Sequence, residues 1–490
     1  MKKVVIGIDL GTTYSGAAML DGAGFPDMIP NSRGKNITPS VIMIENDKII
    51  VGDSAKKNIF VKRNNVVDEV KRYIGTDKKY NIDGKNHTPT TISSLILKEI
   101  KKDVEQHSDC SVEHAVISVP ANFGNKQREE TLIAAKNAGL NVDFIINEPT
   151  AAALAYTKIS NSKKDGLYAI YDFGGGTFDC TIVDINGDNV DIKISEGVQK
   201  LGGKDLDKKL LEIVQEKYKN LCGNDLLNRK YSLNHAEKDK IELSSLDEVM
   251  IFIDDLTISV SRQEFEDSIS SLVQQSLMSL ETAINNINVN FEDLNDLILV
   301  GGTTRIPFVR SSIEALIGKP PKSHGNPDEL VALGAAIYAS KKYPEFLNAN
   351  QKSAVNSLEI SEVCNANFGT FILGDTEVGK QTVNSIIIKK GTNIPCSKVR
   401  AYQTIHDNQI SLDCTITECK EEEIDIKFVN TVWSGDLSLP EGRPAGKPIN
   451  ITYSYNINQT MDCEFHDLES GRKLNRTINF SDLESSESKS

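Results

Sequence analysis

The sequence predicts an α/β domain followed by an antiparallel β domain, and three observations lead to this fold class. Two segments far apart in the chain share one strand–turn–strand design. Strand and helix patterns alternate from the N-terminus to about residue 345. Beyond about residue 361 the apolar residues recur with a period of two, which is the pattern of half-buried strands.

The two related segments run from Val4 to Thr13 and from Leu167 to Asp179. Each is an apolar run that ends in Asp and is followed by glycine, threonine and a second apolar run. A strand-end carboxylate can hold a metal ion, glycines let a turn approach phosphate oxygens, and threonine adds a hydroxyl donor. Either segment alone could be an ordinary Gly-rich turn. The pair predicts a clamp that grips a metal–triphosphate from both sides.

Between and after these hairpins, helix and strand signals alternate. The strand pattern His114–Pro120 precedes a helix pattern from Asn125 to Ala138, which Gly139 ends. Pro149 marks a helix start directly after a strand. This alternation, in two similar halves, is typical of α/β proteins. Further helices are predicted near residues 236–246 and from about 327 to 342.

The boundaries of the predicted segments follow from changes in composition. The chain turns polar around Asn348–Ser353, which favours a linker. Runs such as Ser411–Ile416 and Ile449–Tyr455 then alternate, as antiparallel strands do. The predicted segments are an α/β domain at 1–344, a linker at 345–363, a β domain at 364–482 and a disordered tail at 483–490.

The stretch from Gly374 to Gln381 nearly matches the spacing of a P-loop. Gln381 replaces the hydroxyl residue that would bind magnesium, and the following Val383–Ile388 has the pattern of a strand. A hairpin loop is the better interpretation.

Composition, net charge and cysteine spacing indicate which partners and which cellular location to expect. The chain has 490 residues, 39% hydrophobic residues and a net charge of −14, which argues against nucleic acid or a membrane as the main partner. Its start lacks a signal-peptide pattern, so a cytoplasmic protein is expected. The eight cysteines are scattered without zinc spacing, and reduced, mostly buried thiols are expected.

Four motifs occur in order at Ile6–Ser15, Ile146–Ala153, Asp172–Asp179 and Val300–Pro307. Through these motifs the chain resembles the heat shock protein 70 family, the DnaK-like chaperones. The resemblance implies an actin-like (ribonuclease H-like) two-lobed ATPase domain followed by an antiparallel β-sandwich that binds peptides. It implies ATP/ADP and Mg²⁺ as cofactors. The four motifs also follow the family's order along the chain.

The resemblance also implies roles for the catalytic residues. Asp9 and Asp172 match the carboxylates that hold hydrated magnesium, and Lys71 matches the lysine that positions the attacking water. Glu148 matches the glutamate beside the metal, and Thr177 the threonine near the γ-phosphate. Without the motifs, a charged residue such as Lys71 would more simply be a solvated surface charge.

The remaining nucleotide contacts are implied in the same way. Glycine pairs would approach the phosphates and ribose, a charged helix would contact adenosine, Arg305 would stack on the base and Asp328 would close the pocket. The implied contact residues are Gly11, Thr12, Thr13, Tyr14, Gly174, Gly175, Gly176, Gly202, Gly203, Glu237, Lys240, Ser244, Gly301, Gly302, Arg305 and Asp328.

In the β domain the resemblance implies a groove for an extended apolar peptide. Backbone hydrogen bonds and an apolar pocket would bind the peptide there. Each groove residue could equally be a plain core residue of the sandwich. The implied partners are unfolded or extended apolar peptides, a J-domain co-chaperone and a nucleotide exchange factor. The groove residues are Leu373, Tyr402, Ile405, Leu412 and Cys414.

Three departures from the family pattern modify these expectations. Glu359 and Glu362 interrupt the apolar linker, which predicts weaker coupling between the domains. The loop near Gly374–Gln381 is longer than the family's. The sequence ends about where the family's helical lid begins, so peptide is expected to be held without a lid and to leave quickly.

The predicted function is an ATP-dependent chaperone that hydrolyses ATP and acts on unfolded proteins, in protein folding and the stress response. The alternative is an actin-like ATPase whose β domain is a protein–protein adaptor. A sugar or acetate kinase on the same fold is disfavoured, because no separate substrate domain is visible. A change of ATPase rate on adding an apolar peptide would favour the chaperone.

Overall fold

The computed structural model describes residues 2–59, 61–160, 165–322, 325–376, 379–456 and 460–478. The chain divides into two compact units, Met1–Ile360 and Ser361–Ser490. The predicted disordered tail at 483–490 lies outside the described residues.

The first unit contains α-helices and strands in alternation. Its strands are β1 Lys2–Leu10, β2 Tyr14–Leu20, β3 Pro26–Ile29, β4 Thr38–Pro39, β5 Ile42–Glu45, β6 Lys48–Val51, β7 Val66–Val67, β8 Tyr80–Ile82, β9 Lys85–His87, β10 Cys110–Val119, β11 Phe144–Asn147, β12 Gly166–Phe173, β13 Phe178–Asn186, β14 Asn189–Val198, β15 Glu248–Ile253, β16 Leu256–Ser261 and β17 Leu294–Val300. Its α-helices are α1 Asp53–Lys57, α2 Pro89–Ser108, α3 Asn125–Asn137, α4 Glu148–Ile159, α5 Gly203–Cys222, α6 Leu233–Leu243, α7 Arg262–Asn286, α8 Pro307–Ile317, α9 Leu330–Lys342 and α10 Ala349–Asn356.

Two sheets of the first unit repeat the same topology. One has the order β11-β10-β1-β2-β3, with parallel pairing across β10 and antiparallel pairing from β1 onward. The other contains β17-β12-β13-β14, parallel between β17 and β12 and antiparallel thereafter. β1 and β12 therefore occupy equivalent positions, as the duplicated hairpins predicted. Asp9 lies near the end of β1 and Asp172 near the end of β12.

Helix α9 packs tightly against both α4 and β1, and small residues permit this packing. A Cβ at Gly334 would lie 1.7 Å from the carbonyl oxygen of Ala151 in α4. A Cβ at Gly7 would lie 2.0 Å from the backbone nitrogen of Ala336 in α9. These close approaches fix α4, whose first residue is Glu148, against the strand that carries the first hairpin.

Most predicted helices are confirmed, with shifts at their ends. The helix after His114–Pro120 spans Asn125–Asn137 and is followed by Gly139 with a φ of 75°. The predicted helix 327–342 begins three residues later, at Leu330. The reason is that the Pro327 carbonyl accepts a hydrogen bond from Gly301 and so belongs to a turn.

The polar segment predicted as a linker contains a helix, α10, and ends the first unit. Asn348 caps this helix by accepting a hydrogen bond from the Gln351 backbone at 2.9 Å. The Gln351 side chain donates to the carbonyl oxygens of Leu20 and Asp21 at 2.9 and 3.0 Å. Capping and these contacts order a stretch whose polar composition indicated a linker.

The second unit is a β-sandwich, as the period-two pattern predicted. One sheet has the order β20-β19-β23-β24 and the other β22-β25-β26-β27. The core between them includes Phe368, Tyr453 and Phe465. Val383–Ile388 belongs to a strand, so the interpretation of this region as a hairpin is confirmed. The strands are β18 Ile360–Val363, β19 Asn367–Thr376, β20 Gly379–Ile388, β21 Asn393–Ile394, β22 Cys396–Gln403, β23 Ser411–Cys419, β24 Asn430–Ser438, β25 Pro448–Tyr455, β26 Met461–Asp467 and β27 Lys473–Ile478.

Candidate functional site

The first hairpin places a carboxylate and two threonines at one end of its sheet. Asp9 Oδ1 accepts a hydrogen bond from Ser118 Oγ of β10 at 2.9 Å. Thr12 and Thr13 lie in the turn that follows β1. Thr13 Oγ1 is buried and has no hydrogen-bond partner among the described residues. A buried hydroxyl without a partner is costly, so this oxygen is suited to meet a ligand oxygen.

The turn of the second hairpin directly faces the turn of the first. A Cβ at Gly175 would lie 1.9 Å from Thr13 Oγ1, and a Cβ at Gly176 would lie 2.5 Å from Thr12 Oγ1. Only glycine leaves the space that this approach requires. The two turns therefore form opposite walls of one cleft, with Asp9 and Asp172 on its lining.

A buried ion pair lies beside the two carboxylates. Lys71 is in a 3₁₀ turn, Val70–Tyr73, and its Nζ donates a hydrogen bond to Glu148 Oε1 at the start of α4. The side chains are only 4% and 8% exposed, so a solvated surface charge at Lys71 is the wrong interpretation. Burial lowers the pKa of Lys71, but the charges of Glu148 and Asp9 more than offset this, and the pKa is raised overall.

The carboxylates of the cleft lack sufficient positive charge. Burial, and then the charge of Glu148, raise the pKa of Asp9 from 3.8 to about 6. Burial and the charges of Glu148 and Asp9 raise the pKa of Asp172 well above its ordinary value. Lys71 acts in the opposite direction on both groups but is outweighed. A divalent cation would supply the missing charge, so this set of residues fits magnesium.

The described side chains form no group of three His, Cys, Asp or Glu residues that could ligate a metal ion. Magnesium bound to nucleotide phosphates does not need such a group, because it keeps several waters and takes one or two carboxylates from the protein. Asp9 and Asp172 are the carboxylates of this cleft at the ends of equivalent strands.

Asp179 is a further buried carboxylate to which sequence reasoning gave no role. It pairs with Asp172 across β12 and β13, and it is 1% exposed. Burial and the charges of Glu148 and Asp172 raise its pKa well above the ordinary value. Its place at the end of the second motif was the available signal. The structure places it beside Asp172, outside the lining of the cleft.

Two further glycine pairs lie against these turns. A Cβ at Gly202 would lie 2.4 Å from the Gly176 nitrogen, and Gly203 begins α5. The Gly203 N–H donates to the Gly174 carbonyl oxygen at 3.0 Å. Gly301 follows β17 with a φ of 80°, a value that favours glycine. The cleft, of ≈ 90 Å³, is lined by Asp9, Gly11, Thr12, Thr13, Tyr14, Lys71, Glu148, Asp172, Gly174, Gly175, Gly176, Thr177, Val300, Gly301, Gly302, Pro327, Asp328 and Val331.

A second cavity, of ≈ 630 Å³, shares several of these lining residues. The residues predicted to contact adenosine lie here: Glu237 and Lys240 on α6, Ser244 at its C-cap, and Arg305 on the opposite segment. Arg305 Nη2 donates to Asp328 Oδ2 at 2.9 Å. Apart from Gly202, which packs behind the second turn, every nucleotide-site residue predicted from the sequence lines one of the two cavities.

Buried ion pairs hold the polar edge of the larger cavity. Glu237 pairs with Lys56 at 2.8 Å and with Lys204 at 3.4 Å. Lys240 pairs with Asp207 at 2.6 Å. Burial raises the pKa of Glu237, but the charges of Lys204 and Lys56 outweigh it and the pKa is lowered. Sequence reasoning missed Lys56, Lys204 and Asp207, because isolated charged residues carry no motif.

The match to a protein family agrees with this geometry. A model of the Hsp70 protein family matches residues 5–488 of the chain. This chain belongs to the Hsp70 family. Members are ATP-dependent chaperones and ATPases that bind nucleotide with magnesium. The fold is accordingly the two-lobed, actin-like ATPase fold followed by a β-sandwich.

The groove residues expected from the Hsp70 resemblance fall into two groups. Tyr402, Leu412 and Cys414 contribute to the sandwich core, where Cys414 is fully buried. Leu373 and Ile405 are 40% and 47% exposed and lie outside that core. The burial of Cys414 agrees with the alternative that it is a plain core residue, while Leu373 and Ile405 are accessible to a ligand.

Two further expectations concern the whole chain. The eight cysteines form no disulfide with one another, and six of them are buried, in agreement with the expected buried thiols. Among the described residues, no helix combines the length and apolar character needed to cross a membrane.

Proposed function

We propose that this chain binds Mg·ATP in the cleft between the two hairpins and hydrolyses it, and that its β unit binds extended apolar peptides. The observation that carries the first part is the facing pair of turns. They bring Thr13 Oγ1, a buried hydroxyl without a partner, to a cleft that also holds Asp9 and Asp172. This arrangement supports a ligand that brings both phosphate oxygens and a cation.

Each element of the cleft has a chemical role in this proposal. Asp9 and Asp172 would hold magnesium, which supplies positive charge to the phosphates when bound. Thr12, Thr13 and the backbone N–H groups of Gly175 and Gly176 donate hydrogen bonds to phosphate oxygens, while the Gly174 N–H donates to the Thr177 carbonyl oxygen at 3.2 Å and closes the turn.

The buried ion pair serves the hydrolytic step. Lys71 Nζ is kept protonated by its carboxylate neighbours, and it orients the attacking water and stabilises negative charge on the γ-phosphate. Glu148 Oε1 accepts a hydrogen bond from this Nζ and so fixes its direction. Thr177 lines the same cleft and donates near the γ-phosphate.

The larger cavity receives the nucleoside. Glu237, Lys240 and Ser244 provide the polar edge for the ribose and base, and Arg305 stacks on the base. Asp328 lines both cavities and already orients Arg305 through their ion pair at 2.9 Å. ADP occupies the same site after hydrolysis.

The β unit binds an extended peptide with apolar side chains in this proposal. Leu373 and Ile405 are exposed and Tyr402 and Leu412 are partly buried, so these four side chains are available to form an apolar contact surface for the peptide. A J-domain co-chaperone and a nucleotide exchange factor are the proposed partners, and the cytoplasm is the proposed location.

The test measures binding of a fluorescent, Leu-rich peptide by anisotropy, with ATP and with ADP, alongside the ATPase rate. A matched peptide with Asp in place of the central Leu is the control. We expect weaker binding with ATP than with ADP, and little binding of the Asp peptide. Nucleotide hydrolysis without any peptide binding in either state would favour the adaptor function instead.

A further inference from the structure

Arg72, the neighbour of Lys71, joins two other segments of the nucleotide cleft. Its side chain is 6% exposed. Nε donates to the carbonyl oxygen of Gly176 at 3.1 Å. Nη1 donates to Asp205 Oδ1 at 3.2 Å, and Nη2 donates to Asp205 Oδ2. The guanidinium is therefore held by a bidentate carboxylate and by the second phosphate-facing turn.

Asp205 extends this connection to a third segment. It lies in the first turn of α5, and its Oδ2 accepts a hydrogen bond from the Gly202 N–H at 3.1 Å. Burial raises the pKa of Asp205, but the hydrogen bond and charge of Arg72 outweigh it, with a smaller contribution from Lys208. The pKa is lowered overall, so the carboxylate is ionised and can hold Arg72 at neutral pH.

We propose that Arg72 and Asp205 are positioning residues for hydrolysis, which fix Lys71 against the turn that holds the γ-phosphate. This inference rests on the proposed ATPase function. Lys71 and Arg72 are consecutive residues of one short 3₁₀ turn, so a contact that fixes Arg72 also fixes Lys71. The Gly176 carbonyl fixes the second turn relative to the same guanidinium.

The position of the Arg72–Asp205 pair determines whether its loss affects ATP binding or the rate of hydrolysis. Arg72 and Asp205 line neither of the two cavities, so neither is placed to contact nucleotide. Base and ribose contacts in the larger cavity remain when the pair is broken. A shift of the Lys71 side chain instead weakens its stabilisation of the transition state. Misplacement of a catalytic group by about 1 Å can lower the rate roughly 100-fold.

The test measures kcat, the rate of single-turnover ATP hydrolysis and ATP affinity for Arg72→Ala, Arg72→Lys and Asp205→Asn. We expect kcat to fall roughly 10- to 100-fold in Arg72→Ala and Asp205→Asn, with ATP affinity within about threefold of wild type. Arg72→Lys should recover activity only in part, because an ammonium cannot form the bidentate contact. The matched control is Lys208→Ala, which removes an exposed cation that also contacts Asp205 at 3.0 Å. We expect it to retain wild-type rates, because exposed ion pairs contribute little.

Chemical rescue separates positioning from a structural role. Methylguanidinium added to Arg72→Ala should restore part of kcat without changing the thermal unfolding curve. If Arg72→Ala does not fold, Asp205→Asn has nearly the shape of wild type and carries the same test.

Wild-type kcat in both Arg72→Ala and Asp205→Asn would overturn the inference while leaving the proposed function intact. Loss of ATP affinity in proportion to rate, or no rescue by methylguanidinium, would also overturn it. Absence of hydrolysis in the wild type would overturn the proposed function, and this inference with it.

Discussion

Replacing Asp9 by Asn should stabilise the nucleotide-free protein at neutral pH. In the folded chain the pKa of Asp9 is raised from 3.8 to about 6, mainly by burial and the charge of Glu148. A raised pKa means that the fold favours the protonated carboxyl group. This contribution to stability is complete below about pH 4 and is lost as the pH rises through about 6.

The size of the effect follows from the same pKa values. The difference between 3.8 and about 6, at about 1.4 kcal/mol per pH unit, gives a contribution of about 3 kcal/mol. We therefore expect the free energy of unfolding of Asp9→Asn to exceed that of wild type by up to about 3 kcal/mol at neutral pH. The two proteins should converge at low pH. Mg·ATP should reverse the order, because the cation stabilises the ionised carboxylate of wild type.

The chain itself provides an internal control for this measurement. The described α-helices all lie within the first unit, so far-UV circular dichroism during urea unfolding reports on that unit. The single tryptophan, Trp433, lies in the second unit, and its fluorescence reports on the β-sandwich. Asp9→Asn should change only the circular dichroism transition. Parallel pH profiles for the two proteins, or an equal change in both signals, would refute the reasoning.

Three further predictions concern the two sites and their coupling. Gly175→Ala should lower ATP affinity roughly 10-fold, since its Cβ would lie 1.9 Å from a threonine hydroxyl, an overpacking worth about 1–3 kcal/mol. Gly22→Ala is the control in the same calorimetric titration, because a Cβ at Gly22 would meet nothing within 4 Å. Equal ATP affinities of Gly175→Ala and Gly22→Ala would contradict the close approach of the two turns. Leu412→Ser should weaken peptide binding in the anisotropy assay roughly 10-fold and leave ATP binding intact, whereas unchanged peptide affinity would remove it from the groove. The pair Glu359→Leu and Glu362→Leu should increase stimulation of the ATPase by saturating peptide, because docking would no longer bury the exposed charge of Glu359, whereas Glu362 is already buried. Strong stimulation of wild type would contradict a weakly coupled linker.

The duplicated hairpins could be predicted from the sequence because each is a continuous motif. Asp9 and Asp172 are followed by glycine and threonine within a few residues, and local sequence is enough to specify a strand and a turn. The helix after Gly124 was similarly bounded by Gly139. The similarity of the two motifs also predicted that they would face each other.

Contacts between distant segments could not be predicted. Arg72 and Asp205 are separated by 133 positions, and neither belongs to a motif. Likewise, the polar residues around Gln351 suggested a linker, because their hydrogen bonds to the Leu20 and Asp21 carbonyls appear only in three dimensions. In both cases a polar residue gains its role from a partner that composition does not identify.

The central claim is that the two facing hairpins bind Mg·ATP and that Lys71 acts on the transferring phosphoryl group. The most direct measurement is single-turnover hydrolysis of ATP by wild type and Lys71→Met, with binding measured calorimetrically in the same buffers, with and without magnesium. We expect magnesium-dependent binding by both proteins and a roughly 100- to 1,000-fold lower rate in Lys71→Met, because it lacks the cation that stabilises the transition state. Hydrolysis by Lys71→Met at the wild-type rate, or wild-type binding that does not depend on magnesium, would contradict it.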